Sequence, residues 1–135
     1  NLMTIGSAGD SRCYLVRGGE LKQITRDDSW VSAALGEGIL NHDDVEHHPL
    51  RNVITKAVGA RDTIDLDVIE HPMEDGDVAL LCSDGLHGMI NDQEIARLLI
   101  PVAESLEEAS ARLVDAANEA GGRDNVTVVL LRYKA

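Results

Sequence analysis

The amino-acid sequence predicts a mixed α+β fold, and three observations support this prediction. Residues 78–82 form a continuous apolar run, which is typical of a central strand buried on both faces. Residues 64–69 alternate with period two, as in a strand with one buried and one wet face. Two segments with helical periodicity come after these strands. The length of 135 residues favours a single domain.

Further strand signals lie before and after these segments. The small residues Gly18 and Gly19 separate two apolar runs and predict the tight turn of a hairpin. Gly59 ends a run rich in β-branched residues. The last apolar run of the chain is almost uninterrupted. The further strands that we predict cover residues 1–8, 13–16, 21–25, 52–58 and 125–133.

Capping signals define the two predicted helices. Asn91 and Ser105 are each followed three residues later by glutamate, which is the spacing of a capping box. Pro101 breaks the first helix, because a proline inside a helix lacks the backbone donor and clashes with the preceding turn. Gly121 and Gly122 are a strong stop signal for the second helix.

The segment 28–51 differs in character from the rest of the chain. It is polar and poor in apolar residues, so we expect it to be an exposed and mobile excursion from the core. Short helices are predicted over residues 31–35 and 43–47. Its histidines could suggest zinc, but their spacing fits no closed tetrahedral site, and a solvated loop is the preferred interpretation. These histidines are His42, His47 and His48.

The charge balance excludes some classes of partner. The chain has 24 acidic and 12 basic residues and a net charge of −12. Binding to nucleic acid needs clustered cations, and binding to an anionic membrane surface is disfavoured for the same reason. The acidic excess is consistent with solubility alone, or with binding of divalent cations, which prefer carboxylate oxygens.

The cysteines predict a cytoplasmic location. Cys13 and Cys82 both lie inside apolar runs, so buried free thiols are expected rather than a disulfide. The sequence has no recognisable secretory signal peptide, and no apolar run approaches the ~20 residues that span a bilayer.

Three aspartates share one local arrangement. Asp10 lies at the junction of two predicted strands, Asp84 directly follows the central strand, and Asp124 directly precedes the last strand. Carboxylates brought together at strand ends would repel one another unless a hard divalent ion lay between them. Each residue also has a structural interpretation. Asp84 can be a turn residue, Asp124 can cap the preceding turn, and Asp10 can pair with Arg12.

Other catalytic chemistry has less support. His87 follows the Asp84 turn and could line a site there, with a supporting or surface role favoured over proton transfer. The sequence contains no nucleophile elbow of the Gly-x-Ser-x-Gly type, and Cys82 is expected to be inert in a buried strand. No glycine-rich phosphate loop follows a predicted strand.

An ordered set of motifs resembles one known family. The chain is similar over essentially its whole length to the C-terminal half of metal-dependent protein serine/threonine phosphatases of type 2C, in their bacterial style. The motifs are Gly9-Asp10-Ser11-Arg12-Cys13-Tyr14-Leu15, Leu21-Lys22-Gln23-Ile24-Thr25-Arg26-Asp27-Asp28-Ser29, Asn52-Val53-Ile54-Thr55-Lys56-Ala57-Val58-Gly59, Leu81-Cys82-Ser83-Asp84-Gly85-Leu86 and Gly121-Gly122-Arg123-Asp124-Asn125-Val126.

The resemblance implies a fold, a reaction and a set of ligands. The fold would be a layered α-β-β-α sandwich of antiparallel sheets, and the reaction would be hydrolysis of phosphoserine or phosphothreonine on proteins by a water that Mn²⁺ or Mg²⁺ activates. Asp84 and Asp124 resemble ligands of a pair of ions, and Asp10 resembles a residue that helps to hold a third. Residues 28–51 resemble the flap beside the active site.

The same resemblance implies that part of the site is missing. The family domain is nearly twice as long, and its N-terminal half supplies the carboxylate that bridges the ions. We therefore expect this chain alone to be a poor catalyst and a poor metal binder, and to pair with itself or with the missing half through exposed strand edges. Two alternatives are a non-catalytic pseudophosphatase and an acidic binding module.

Overall fold

A computed structural model of the chain describes residues 1–45, 47–102 and 105–135. All the strands pair antiparallel with their neighbours. The strands are β1 (Leu2–Ser7), β2 (Arg12–Arg17), β3 (Glu20–Gln23), β4 (Asp67–Pro72), β5 (Val78–Cys82) and β6 (Val128–Arg132). The helices are α1 (Trp30–Gly36), α2 (His42–Val45), α3 (Asp84–His87), α4 (Asp92–Leu99) and α5 (Leu106–Glu119), and a short 3₁₀ helix covers Ile100–Val102.

The strands form two antiparallel sheets. The larger sheet has the order β3-β2-β5-β6, and the smaller sheet pairs β1 with β4. Strand β5 is therefore internal, as its apolar sequence predicts, and it pairs with β2 on one side and with β6 on the other. Together with the flanking helices, these sheets confirm the predicted mixed fold of antiparallel sheets and helices.

The core lies between one face of the larger sheet and the helices α4 and α5. Tyr14 of β2 and Leu80 of β5 lie directly opposite each other in the sheet, and both side chains point into this core. Ile95 and Leu113 enter it from the two helices, and neither side chain is exposed to solvent. Both helices begin at the predicted caps, because the side chains of Asn91 and Ser105 accept hydrogen bonds from backbone amides in the first turn.

The opposite face of the larger sheet is open at Leu81 and along β6, whereas Cys13, Leu15 and Ala79 on the same face are buried. Leu81 is 38% exposed, Val129 47% and Leu131 53%. The expectation that β5 is buried on both faces is therefore wrong at Leu81, because the described residues place no layer over it. A groove of about 410 Å³ runs beside this face, with Ile5 and Cys13 among its lining residues.

Two strand predictions need correction. Residues 52–58 form only an isolated bridge at Ile54, with Val53 and Val58 exposed, because the described residues offer them no longer partner strand. The strand predicted over residues 64–69 is displaced to Asp67–Pro72. Its pairing with β1 begins where Ser7 lies opposite Asp67, so the residues before it lie beyond the end of the partner strand.

The polar segment 28–51 contains helices α1 and α2, in agreement with the predicted short helices. Glu46, which belongs to the predicted helix 43–47, lies outside the described residues. Helix α1 buries Val31 and Ala34, so this part of the segment is better anchored than its composition suggests. The ring of Trp30 also stacks on His48 at 4.9 Å between ring centroids. The mobility of the segment stays a prediction.

Candidate metal centre

Asp10 lies in the tight loop between β1 and β2. The preceding residue, Gly9, is buried and has a φ of +103°, a backbone conformation that side chains disfavour. The Asp10 carbonyl accepts a hydrogen bond from Nε2 of His87 at 2.8 Å. The His87 side chain thus supports the backbone of the Asp10 loop, in agreement with the supporting role favoured from the sequence.

Asp84 begins a single helical turn directly after the central strand. Ser83 is the N-cap of helix α3, and the turn closes when Gly88 N–H donates to the Asp84 carbonyl at 2.7 Å. The sequence suggested an ordinary turn at this point, whereas the structure has a short helix whose Leu86 is fully buried. The buried Leu86 fixes the position of the turn, while Asp84 itself is exposed.

Hydrogen bonds hold the loop of Asp124 against the turn of Asp84. The Ser83 hydroxyl donates to the Asn125 carbonyl at 3.2 Å and accepts from Thr127 N–H at 3.0 Å. The Ser83 amide donates to the Thr127 carbonyl at 3.1 Å. A Cβ at Gly85 would overlap the Asn125 carbonyl, so glycine permits this close approach of two backbones.

Asp10 and Asp84 interact electrostatically. Burial raises the pKa of the Asp10 carboxyl above its ordinary value, and the negative charge of Asp84 raises it further. The pKa of His87 is lowered, first by burial and then by the positive charge of Arg12. Mutual repulsion of two carboxylates is relieved by a cation between them, and hard oxygen donors suit Mn²⁺ or Mg²⁺. The chemistry of these carboxylate donors suits a divalent ion, and a metal site that includes them stays a prediction.

The structure brings the predicted site residues together to different degrees. Asp10 interacts with Asp84, and the loop of Asp124 adjoins the turn of Asp84. The Asp124 carboxylate itself accepts from the Asn125 amide at 2.7 Å, in the manner of a turn cap. Within the residues that the structure describes, no group of three His, Cys, Asp or Glu side chains is arranged to hold an ion. Convergence of the three aspartates on one ion cluster stays a prediction.

Arg12 forms a hydrogen-bond network beside this site, with a partner other than the Asp10 that the sequence suggested. Arg12 does not pair with Asp10 but donates to both carboxylate oxygens of Asp27, with Nη2 at 2.7 Å from Oδ2. Its Nη1 also donates to the Tyr14 hydroxyl at 2.9 Å, which in turn donates to Asp92 at 2.8 Å. Strand alternation places Arg12 and Tyr14 on one face of β2, so it could have indicated their contact but not the pairing of Arg12 with Asp27.

The three histidines of segment 28–51 lie within the described residues. His42 and His47 are exposed, and His48 accepts a hydrogen bond through Nδ1 from Leu50 N–H at 3.1 Å. His48 also stacks on Trp30. The histidine side chains of this segment thus serve local packing and solvation, and none of them belongs to a metal cluster within the described residues.

The known proteins that resemble this chain in sequence and in structure are phosphatases. No family model matches the chain. It is 44% identical over 126 residues to "Protein phosphatase PhpP" of Streptococcus pneumoniae, a match that covers 91% of this chain and 50% of that protein. The crystal structure of the Mycobacterium tuberculosis serine/threonine phosphatase PstP/Ppp superposes with a TM-score of 0.93 at 37% identity, covering 100% of this chain and 56% of that one.

A further structure contains metal. The catalytic domain of the serine/threonine protein phosphatase PstP, in complex with two manganese ions, matches with a TM-score of 0.82 at 35% identity, covering 96% of this chain and 53% of that one. The chain spans about half the length of the curated relatives it matches. In sequence and in fold, the chain is similar to the C-terminal part of protein serine/threonine phosphatases of the PPM (type 2C) family.

Proposed function

We propose that this chain is part of a metal-dependent phosphatase that hydrolyses phosphoserine and phosphothreonine on proteins. The observation that carries the proposal is the match to phosphatases over nearly the whole chain, with 44% identity to PhpP and a TM-score of 0.93 to PstP/Ppp. The acidic residues at the strand ends support it, because carboxylate oxygens are ligands that manganese and magnesium prefer.

The proposed roles follow the positions of the aspartates. Asp84 and Asp124 would hold a pair of Mn²⁺ or Mg²⁺ ions, and Asp10 with Asp84 would hold a third, weaker ion. When bound, the ions supply an activated water and neutralise charge on the phosphate. The chain's own contribution is to hold these carboxylates on rigid strand ends and to keep the adjacent loops fixed through Ser83 and His87.

The half-length of the chain limits what it does alone. Two-metal hydrolysis needs ions held roughly 3.5–4 Å apart, and the family uses a bridging carboxylate from its other half for this purpose. We therefore propose that the chain alone binds Mn²⁺ weakly and turns over phosphopeptides poorly. The open face with Leu81, Val129 and Leu131 supports association with the rest of a phosphatase domain, or with a second copy of the chain.

We also propose a cytoplasmic role in phosphorylation signalling. Cys13 and Cys82 are buried free thiols, which is typical of proteins in a reducing compartment. Among the described residues, no helix is both long enough and apolar enough to cross a membrane. Segment 28–51 would act as a flap that affects access of the phosphoprotein.

A chimera provides the direct test of activity. The matched half of Streptococcus pneumoniae PhpP is replaced by this chain, and release of phosphate from a phosphothreonine peptide is measured with Mn²⁺. We expect an active chimera, and we expect Asp84→Asn to reduce its kcat by about 100-fold or more, because a ligand is lost. Asp115→Asn, an exposed position on α5, is the matched control and should leave kcat unchanged.

The same chimera distinguishes the alternatives. A well-folded but inactive chimera that binds Mn²⁺ would indicate a non-catalytic pseudophosphatase. A folded chimera that neither binds Mn²⁺ nor turns over substrate would indicate an acidic binding module, and the proposed metal site would be wrong. The 14.6 kDa chain alone is measured in parallel, with light scattering to give its oligomeric state. Robust turnover by a monomer would contradict the proposed dependence on the other half.

A further inference from the structure

Asp28 is bonded to the loop that carries Asp10. Its Oδ2 accepts a hydrogen bond from Gly9 N–H at 3.1 Å, and its own backbone N–H donates to the Gly9 carbonyl at 2.8 Å. Gly9 and Asp28 are thus joined by two hydrogen bonds that run in opposite directions. The side chain of Asp28 is only 13% exposed, so water competes little for these contacts.

Asp28 also contacts the residues that follow the polar segment 28–51. Its carbonyl accepts from Thr55 N–H at 2.7 Å, and its Oδ1 lies 3.2 Å from Nζ of Lys56. Immediately beyond it, Ser29 bridges Ile54. Asp28 therefore connects the Asp10 loop with Thr55 and Lys56, which follow the polar segment 28–51.

The Asp10 loop depends on such backbone contacts. Gly9 has a positive φ and no side chain, and a Cβ at this position would lie 3.7 Å from the Lys56 carbonyl. Its amide directly precedes Asp10, so a shift of Gly9 changes the direction of the Asp10 side chain. His87 fixes the Asp10 carbonyl, while Asp28 fixes the amide before it.

We propose that Asp28 is a positioning residue that sets the direction of Asp10 and links it to the position of segment 29–55. One carboxylate carries both functions, because Oδ2 holds Gly9 and Oδ1 holds Lys56. A displacement of Lys56 or of the residues beside it is then transmitted to Asp10 through the side chain and the backbone N–H of Asp28. This inference rests on the proposed function in one respect, since it takes Asp10 as part of a metal site.

The first experiment measures amide hydrogen exchange at Gly9 in the 135-residue chain by NMR. We expect Asp28→Ala to accelerate exchange at Gly9 by about 5- to 10-fold, the effect of losing one hydrogen bond. Asp28→Asn keeps an oxygen that accepts from Gly9 N–H and should stay within about twofold of wild type. Asp67→Asn removes the other carboxylate on Lys56 and is the matched control, with Gly9 unchanged.

The second experiment measures the Mn²⁺ concentration that half-saturates activity in the PhpP chimera, together with kcat. We expect Asp28→Ala to raise this concentration at least about threefold, since a misdirected Asp10 binds its ion less well, and we expect Asp28→Asn to restore much of the loss. Asp67→Asn should again match wild type. A purely structural role would instead lower the fraction of folded protein and leave the half-saturating concentration unchanged.

The outcomes separate this inference from the proposed function. Unchanged Gly9 exchange in Asp28→Ala would overturn the inference. Faster exchange with an unchanged Mn²⁺ requirement in an active chimera would also overturn it and would leave the proposed function intact. An inactive wild-type chimera would contradict the proposed function, and the exchange result alone would then decide the inference. If Asp28→Ala does not fold, fast exchange of Gly9 in folded Asp28→Asn would contradict the assigned hydrogen bond.

Discussion

At the scale of single residues, glycines allow the backbones of the candidate site to approach one another closely. Gly85 lies where the turn of Asp84 meets the loop of Asp124, and a Cβ there would overlap the Asn125 carbonyl. Gly9 has a positive φ directly before Asp10. The loops that carry the aspartates therefore have little freedom to accept larger side chains.

Gly85→Ala tests this close approach. We expect it to displace the Asn125 backbone and to lower the free energy of unfolding by roughly 1–3 kcal/mol, the usual cost of overpacking. Gly6→Ala is the matched control, because a Cβ at that position meets only Leu66 Cδ1 at an ordinary 3.9 Å. Urea unfolding of both variants is the measurement. Equal stability of the two variants would contradict the packing described for Gly85.

The ion pair of Arg17 with Asp77 predicts a pH dependence of stability. Hydrogen bonds from Arg17 hold the pKa of the Asp77 carboxyl below its ordinary value, and Glu74 N–H donates to it as well. Because the folded-state pKa is lower than the unfolded one, the stabilisation is present above about pH 4 and is lost as pH falls through the lowered pKa.

Asp77→Asn removes this pH dependence. We expect it to lower Tm by roughly 3–6 °C at pH 7 and by progressively less as pH falls below about 4, where the stabilisation by the wild-type carboxylate is lost. Glu74→Gln is the control, because Glu74 pairs with the same arginine through a carboxylate that is 68% exposed. Thermal unfolding followed by circular dichroism between pH 2 and pH 7 gives the comparison. A constant Tm difference across this range would disagree with the assigned ionic contact.

At the scale of elements, the helices and the strands were not equally predictable. Helices α4 and α5 are capped by Asn91 and Ser105 as predicted, because capping and amphipathic periodicity are local properties. Strand limits depend on partners that are distant in sequence. Residues 52–58 have strand composition but only one bridge, and β4 begins only where β1 provides a partner.

Truncation of a side chain should lower the free energy of unfolding more on the core face of the larger sheet than on its open face. Leu113 of α5 is fully buried against the core face, whereas Leu131 of β6 is 53% exposed on the open face. We expect Leu113→Ala to cost about 2–5 kcal/mol and Leu131→Ala about 0.5 kcal/mol or less in the isolated chain. Free energies of unfolding in urea test this contrast, with a similar loss at both positions counting against an open face.

For the whole molecule, more of the fold than of the candidate site could be predicted from the sequence. It identified the strand-end aspartates, but it could not show that Arg12 pairs with Asp27 or that His87 bonds to the Asp10 carbonyl. These contacts join residues that are far apart in the chain, and no local pattern encodes them. The proposed role of Asp28 was likewise hidden, because it depends on contacts with Gly9 and Lys56, which are distant in the chain.

We propose that Asp10, Asp84 and Asp124 belong to one divalent metal site in the complete domain. The most direct measurement is the anomalous scattering of manganese in crystals of the PhpP chimera grown with Mn²⁺. We expect manganese within roughly 2.0–2.6 Å of carboxylate oxygens of Asp84 and Asp124, with Asp10 near a further, weaker ion. Manganese bound without Asp84 or Asp124 among its ligands would contradict the account.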